Sequence, residues 1–360
     1  MPKNNIRLKL LVGATVGAAL WAARRIAYAP PNADIAARAH DAARSGPWRH
    51  NYATVNGVRL HYAEVGSGPL VILLHGFPQC WYEWRYVIPR LAKHFHVVAP
   101  DMRGYNESDK PGGIAAYTIE NLTQDIASLV EALGEERAHI VWHDWGGSVA
   151  WGLGMRHSHR VDKLVVLNSP HPSAFERELK KGRQLLRSWY ILFFQLPLLP
   201  EASMRLNLRR SLPNSARVPG AFSEESLDVY ENAISQPGAL TAMKNGKLNR
   251  RKPAGTEVAF QTNRESRPVE QIPAVSAMLN YYRASFRDSR RLLKTYERVI
   301  EHSTMVIWGM KDFALVPELI EGLEQWVPNL RLERIQDCGH WVPEEKPGLV
   351  TDLLLDFLLD

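Results

Sequence analysis

Short apolar runs without polar alternation recur at Leu70 to Leu74, Val97 to Ala99, His139 to Trp142, Leu164 to Leu167 and Met305 to Trp308. Runs of this length, bounded by turn residues, predict strands buried on both faces, as in a parallel sheet. Segments with helical spacing separate them, at Trp81 to His94, Ile119 to Leu133, Gly147 to His157 and Pro317 to Trp326. Their alternation predicts a mostly parallel, doubly wound α/β sheet. Ahead of it, Tyr52 to Val65 reads as two short strands around Asn56-Gly57, a dipeptide that favours a tight hairpin turn.

The strand signal stops after Pro170 and resumes at Thr304. The stretch between is helix-like and rich in aromatics and prolines, which predicts a cap inserted into the sheet. The expected organisation is a core of residues 48–170 and 291–360, a helical cap over 171–290, a linker over 29–47 and an apolar leader over 1–28. Open α/β sheets bind ligands beyond the carboxyl ends of their strands, so the cap is expected to roof the site.

The leader carries an apolar run from Leu10 to Ala23, with Lys3, Arg7 and Lys9 before it and Arg24 and Arg25 after it. A bilayer span takes about 20 residues, so the run is short for one. The flanking arginines and Pro30 make a poor cleavage site for a secretory signal. An uncleaved anchor is expected, with membrane association through residues 6–23 and the catalytic part in the cytoplasm; a soluble cytoplasmic protein is the alternative.

With 45% hydrophobic and 23% charged residues, the chain is neither disordered nor fibrous. The net charge of +6 sits partly in the leader and partly in two clusters, Arg205, Arg209, Arg210 and Arg217, then Lys244, Lys247, Arg250, Arg251 and Lys252. Without interleaved aromatics these predict a solvated face or contact with an anionic membrane, and no nucleic-acid partner. Cys80 and Cys338, the only cysteines, form no disulfide framework and have no zinc or redox spacing. No metal and no cofactor is expected.

Polar residues directly after strands mark where a parallel sheet presents chemistry. Asp144 follows the His139 strand and precedes Trp145-Gly146-Gly147, the strand-turn-helix layout of a nucleophile elbow with a carboxylate in place of serine. A helix starting there would aim its positive end at the carboxylate and keep it ionised. Asp312 follows the Met305 strand, and His340 follows Leu330 to Ile335, a further strand-like run. Singly, each is more often a turn or cap residue; the order nucleophile, acid, histidine gives them weight together. His75-Gly76-Phe77-Pro78 follows the Leu70 strand, so the backbone N–H groups of Phe77 and Trp145 are the candidate oxyanion donors.

The runs His75 to Arg85 (HGFPQCWYEWR), Asp101-Met102-Arg103-Gly104-Tyr105, His143 to Gly147 (HDWGG) and Gly339-His340-Trp341 resemble the α/β-hydrolase-fold epoxide hydrolases, in order and spacing from about residue 50 to the C-terminus. The resemblance extends into the cap, where Ser188 to Pro197 and Asn280 to Arg283 are similar to the segments that carry the family's two ring-opening tyrosines, here Tyr190 and Tyr282. It implies an epoxide hydrolase that forms an ester on Asp144 and hydrolyses it with His340, oriented by Asp312. A phenol, with a pKa near about 10, can donate to the departing epoxide oxygen while protonated at neutral pH. Tyr281 is the weaker competitor of Tyr282, since adjacent helical residues point in different directions. Phe77, Pro78, Trp81, Trp145, Trp189 and Phe193 are the expected substrate contacts, and their apolarity favours a lipophilic small-molecule substrate, a lipid or aromatic epoxide over a small polar one.

Trp142, two residues before the nucleophile, departs from the small residue expected where the elbow packs tightly. Other readings stay open. A haloalkane dehalogenase needs N–H donors for halide, yet Phe77 follows the His-Gly pair; a haloacid dehalogenase needs arginines near the nucleophile, yet position 145 is tryptophan. An esterase is disfavoured because an acyl-aspartate anhydride is a poor route to acyl transfer. A non-catalytic, membrane-associated binding protein of the same fold is the reading from a different class.

Overall fold

The computed structural model describes residues 17–238, 270–295 and 299–360. Strands β1 (Arg49–Val55) and β2 (Val58–Val65) form the expected hairpin, joined by Asn56 and Gly57 with φ of 47° and 74°. Both are left-handed, as a two-residue turn between twisted strands requires, and Asn and Gly adopt that conformation at least cost. β3 (Leu70–Leu74), β4 (His96–Pro100), β5 (Ala138–His143), β6 (Val161–Leu167), β7 (Thr304–Gly309) and β8 (Leu330–Ile335) complete one sheet. The strand order is β1-β2-β4-β3-β5-β6-β7-β8, antiparallel at β1/β2 and β2/β4 and parallel elsewhere. β3, β5 and β7 are buried along their whole length, as their aliphatic sequences require. Because β4 lies on one side of β3 and β5 on the other, the carboxyl ends of β3 and β5 flank a topological switch point.

The leader and linker pack on the body of the protein. Residues 17–27 are helical (α1), and Ala23 and Ala27 are buried against Ala202 of the cap. Among the described residues no helix is long and apolar enough to cross a membrane, while residues 1–16 of the expected anchor lie outside them. The stretch expected as a linker contains α2 (Ala33–Arg44), started by Asn32, whose side chain accepts from the N–H groups of Asp34 and Ile35. Arg38 fastens it to Asp228 at 2.6 Å.

Two expected helices are broken. Trp81 to His94 splits into a 3₁₀ turn (Trp81–Trp84) and the short α3 (Ile88–Leu91). Pro89 cannot donate back to the preceding turn, so it starts a helix there and does not continue one. Pro317 to Trp326 holds two 3₁₀ turns, Pro317–Ile320 and Leu323–Gln325, separated at Gly322, whose φ of 64° is incompatible with a continuing helix. The remaining core helices are α4 (Ile119–Ala132) and α5 (Trp145–Arg156).

Between β6 and β7 the described chain is helical: α6 (Pro172–Lys180), α7 (Arg183–Arg187), α8 (Trp189–Phe193), α9 (Leu199–Ser215), α10 (Glu224–Ser235) and α11 (Ala274–Thr295). The basic cluster Lys244 to Lys252 lies outside the described residues. α12 (Val342–Glu345) and α13 (Pro347–Leu359) close the chain.

Candidate active site

Asp144 sits directly after β5 with φ 53° and ψ −118°, a strained conformation for a residue with a side chain. Such a turn lifts the carboxylate off the strand end and frees it from capping α5, and no side-chain cap hydrogen bond is made there. Three glycines make room for the turn. A Cβ on Gly76 would fall 2.8 Å from the Asp144 Cβ, and one on Gly147 would fall 1.8 Å from the Ser169 Oγ. The third is Gly146, where a Cβ would lie 3.0 Å from the Trp142 Cβ and 3.3 Å from the His75 and Leu74 carbonyls. Trp142 itself is fully buried.

The three post-strand residues converge. His340 Nε2 is 3.3 Å from Asp144 Oδ2, and His340 Nδ1 is 2.7 Å from Asp312 Oδ2. The N–H groups of Ala314 and Leu315 donate to Asp312 Oδ1 at 2.7 and 2.9 Å, and Asn168 Nδ2 donates to Oδ2 at 2.6 Å. The Phe77 N–H donates to Asp144 Oδ1 at 2.8 Å, as expected of a group that is to meet negative charge there. Trp145, the other expected donor, is the first residue of α5.

Electrostatics follow from these contacts. Burial alone would raise the Asp144 carboxyl, but His340, His143 and the Phe77 N–H hold it below the usual carboxylate range. Burial likewise opposes charge on His340, yet Asp312 and Asp144 raise the imidazole to about 10. Asp144 and His340 therefore face each other as an ion pair at neutral pH.

Above them, Tyr282 of α11 is buried and Tyr190 of α8 half-buried, their ring centroids 5.9 Å apart and nearly perpendicular. Tyr282 packs edge-on against Trp145 at 4.6 Å and Phe77 at 5.1 Å, which ties the roof to both candidate oxyanion donors. Burial raises both phenols above their ordinary range, with the nearby Asp144 charge the next cause, so both stay protonated at neutral pH. Tyr281 points elsewhere: its hydroxyl donates to the Arg103 carbonyl at 2.7 Å in the core.

The expected substrate contacts divide. Phe77, Pro78 and Trp145 stand at the site, but Trp81 turns away and packs on Trp48 and His50 beside β1. Trp189 is exposed on the outer side of the cap, and Phe193 stacks beside it with ring centroids 6.0 Å apart. Phe194 faces inward instead, 4.8 Å from Tyr282 and 5.6 Å from Phe77. Its spacing of four from Tyr190, one helical turn, is the signal that could have found it. Asn168 was also missed, although it follows β6 as Asp144 follows β5. It donates to Asp312 and accepts the Gly309 N–H at 2.7 Å. Glu83 and His143 form a further buried pair behind the elbow, with His143 Nε2 2.8 Å from the His340 carbonyl. Among the described residues no group of side chains is arranged to hold a metal ion.

This sheet order, with a carboxylate on a strained elbow and an acid–histidine pair on later strand ends, defines a hydrolase of the α/β type. The family described as the alpha/beta hydrolase fold matches residues 69–347. The AB hydrolase superfamily protein YfhM of Bacillus subtilis is 37% identical over 85% of this chain and 96% of its own length. Epoxide hydrolase 3 of Xenopus tropicalis is 31% identical over 98% of this chain and 86% of its own. Among solved structures, a point mutant of a Bacillus megaterium epoxide hydrolase, bound to its naphthyloxypropanediol product, superposes with a TM-score of 0.70. It is 31% identical and covers 86% of this chain and 100% of its own. The chain belongs to the epoxide hydrolase family of α/β hydrolases.

Proposed function

We propose that the protein hydrolyses an apolar epoxide to a vicinal diol through an ester on Asp144. The observation that carries this reading is the pair of phenol-bearing rings, Tyr190 and Tyr282, packed on each other and, through Tyr282, on Phe77 and Trp145, the residues that flank Asp144. Asp144 attacks one epoxide carbon while the phenols donate to the ring oxygen, and one phenol passes its proton to that oxygen as the C–O bond breaks. The product is a hydroxyalkyl ester. Esterification removes the Asp144 charge, one of the two that hold His340 protonated, so the imidazole gives up its proton more readily; passed through water, that proton restores the phenol and leaves His340 a base. His340 then takes a proton from water, and the oxygen of that water attacks the ester carbonyl carbon. The N–H groups of Phe77 and Trp145 hold the resulting oxyanion; loss of such a donor typically costs about 10² to 10³ in rate. Collapse restores the carboxylate, and His340 returns a proton to the departing diol oxygen. No step calls for a metal or cofactor.

Substrate class follows from the walls. Phe77, Phe194, Trp145 and the two tyrosine rings line the space over Asp144, which supports an apolar epoxide with an aromatic or long alkyl substituent. The naphthyloxy group of the Bacillus megaterium enzyme's product is of that kind. Dehalogenation is disfavoured because the nearest candidate for a carboxylate clamp, Arg103, is committed to Asp125 at 2.6 Å. The test is to incubate the protein and an Asp144→Ala variant with a styrene-type epoxide and with 1-bromobutane. Diol from the wild type alone supports the reading; diol that persists in the variant, or halide release without diol, overturns it.

A further inference from the structure

Large apolar side chains are exposed along one continuous stretch of the cap. Leu186 is 78% exposed, Trp189 64% and Leu206 66%, and Trp21 of α1 reaches 61%. A monomer in water rarely gathers such residues in one place. The gathering runs across α7, α8, the loop after it and the start of α9, where Leu185, Trp189, Leu192, Leu196 and Leu199 are all exposed. α1 extends it, because Ala23, Ala27 and Ile26 pack against Leu198 and Ala202.

From 180 to 217 the chain carries eight basic residues and a single acid, Glu201; Lys180, Lys181, Arg183 and Arg209 pair with acids from other segments, while Arg210, like Arg24 and Arg25 of α1, is exposed. Glu201 is buried and paired with Arg283 at 2.9 Å, so it offers no negative charge to the surface. Between α1 and α9 lies an open groove of about 520 Å³ whose walls include Trp21, Ile26 and Leu206, with Arg25 and Arg205 beside them. Arg205 is half-buried and holds the Ala29 carbonyl at 3.1 Å, which fixes α9 to the end of α1, while Arg25 is exposed. Apolar side chains beside exposed arginines fit a surface with hydrocarbon below and anions above.

We propose that this face of the cap, together with α1, docks on an anionic phospholipid membrane. Leucines and tryptophans enter the headgroup boundary, and the exposed arginines, among them Arg25 and Arg210, meet lipid phosphates. α8 gives the docking a consequence for the reaction in Proposed function, on which this part of the inference rests. Trp189 and Leu192 are exposed on the same short helix whose half-buried Tyr190 packs on Tyr282 and Phe194. A lipophilic epoxide dissolved in the bilayer would thus meet the roof of the site at the membrane surface.

The experiment is flotation of the full-length chain with vesicles of phosphatidylcholine, with and without phosphatidylserine, at low and high salt. Three proteins are compared: wild type, Leu186→Ser/Leu192→Ser and Arg210→Glu. Turnover of a water-soluble epoxide, without vesicles, is measured for each. Wild type is expected to float with phosphatidylserine vesicles and to be released by salt. The double leucine variant should lose about tenfold or more in partitioning, since each leucine withdraws apolar area from the lipid. Arg210→Glu should weaken binding only to the anionic vesicles, and turnover should remain within about twofold of wild type in both variants. Equal flotation of all three proteins, absence of wild-type flotation, or a concentration-dependent dimer that forms in place of vesicle binding would overturn the proposal. Loss of turnover in wild type would instead overturn the reading of the site, because vesicle binding does not depend on it.

Discussion

Below the substrate space, every reactive atom is fixed by directional bonds to the sheet and its loops. Asp312 receives two backbone N–H groups and Asn168, His340 is held by Asp312, and the Phe77 N–H meets Asp144. Above it, Tyr190, Tyr282 and Phe194 are positioned by aromatic packing on short or separate helices. Hydrogen bonds from a parallel sheet fix angles as well as distances, whereas ring contacts of this kind are worth about 0.5–1.5 kcal/mol each and tolerate rearrangement. The floor therefore sets which bonds form and break, and the roof sets what is held there and how its oxygen leaves. Variants on the two sides should fail differently.

The largest effect belongs to the floor. His340→Gln is expected to slow ester hydrolysis by about 10² to 10⁴ while leaving ester formation measurable. Intact-mass spectrometry should then find the protein heavier by one substrate molecule; a variant that turns over without accumulating adduct would break the division. On the roof, Tyr190→Phe and Tyr282→Phe should each slow ester formation by roughly 10² and leave hydrolysis of a preformed ester unchanged. Rapid-quench kinetics separates the steps, and an equal loss in both would erase the contrast.

How far the sequence revealed each side follows the same division. The floor was legible because strand-end positions are local: one apolar run and the residue after it suffice to find Asp144, Asp312 and His340. Asn168 obeys the same rule but was passed over, since an amide proposes no chemistry until its partner Asp312 is seen. On the roof, the tyrosines came from resemblance, while the choice among neighbouring aromatics required knowing which way a five-residue helix faces. Trp189 and Phe193 were expected inside, yet Phe194 holds that place. Trp142 stayed unexplained from sequence because what surrounds a fully buried indole is set by the fold and not by its chain neighbours.

A smaller effect tests the coupling inside the floor. Because Asp312 and Asp144 together raise His340 to about 10, Asp144→Asn should lower that value, so His340 loses its proton at a lower pH. Titration of the imidazole by NMR measures the shift; an unchanged or higher value would refute the ion pair. The smallest effect separates two adjacent roof residues: Phe194→Ala should raise KM several-fold for an aromatic epoxide, and Phe193→Ala less.

The most direct test of the account is a single turnover in H₂¹⁸O with enzyme in excess over epoxide. If Asp144 attacks the epoxide and water attacks the ester carbonyl, the diol carries no ¹⁸O. The label then appears in the Asp144 carboxylate, detected by mass spectrometry of the peptide that contains it. Label in the diol and none in that peptide would mean that water opens the epoxide directly, and Asp144 would not be the nucleophile.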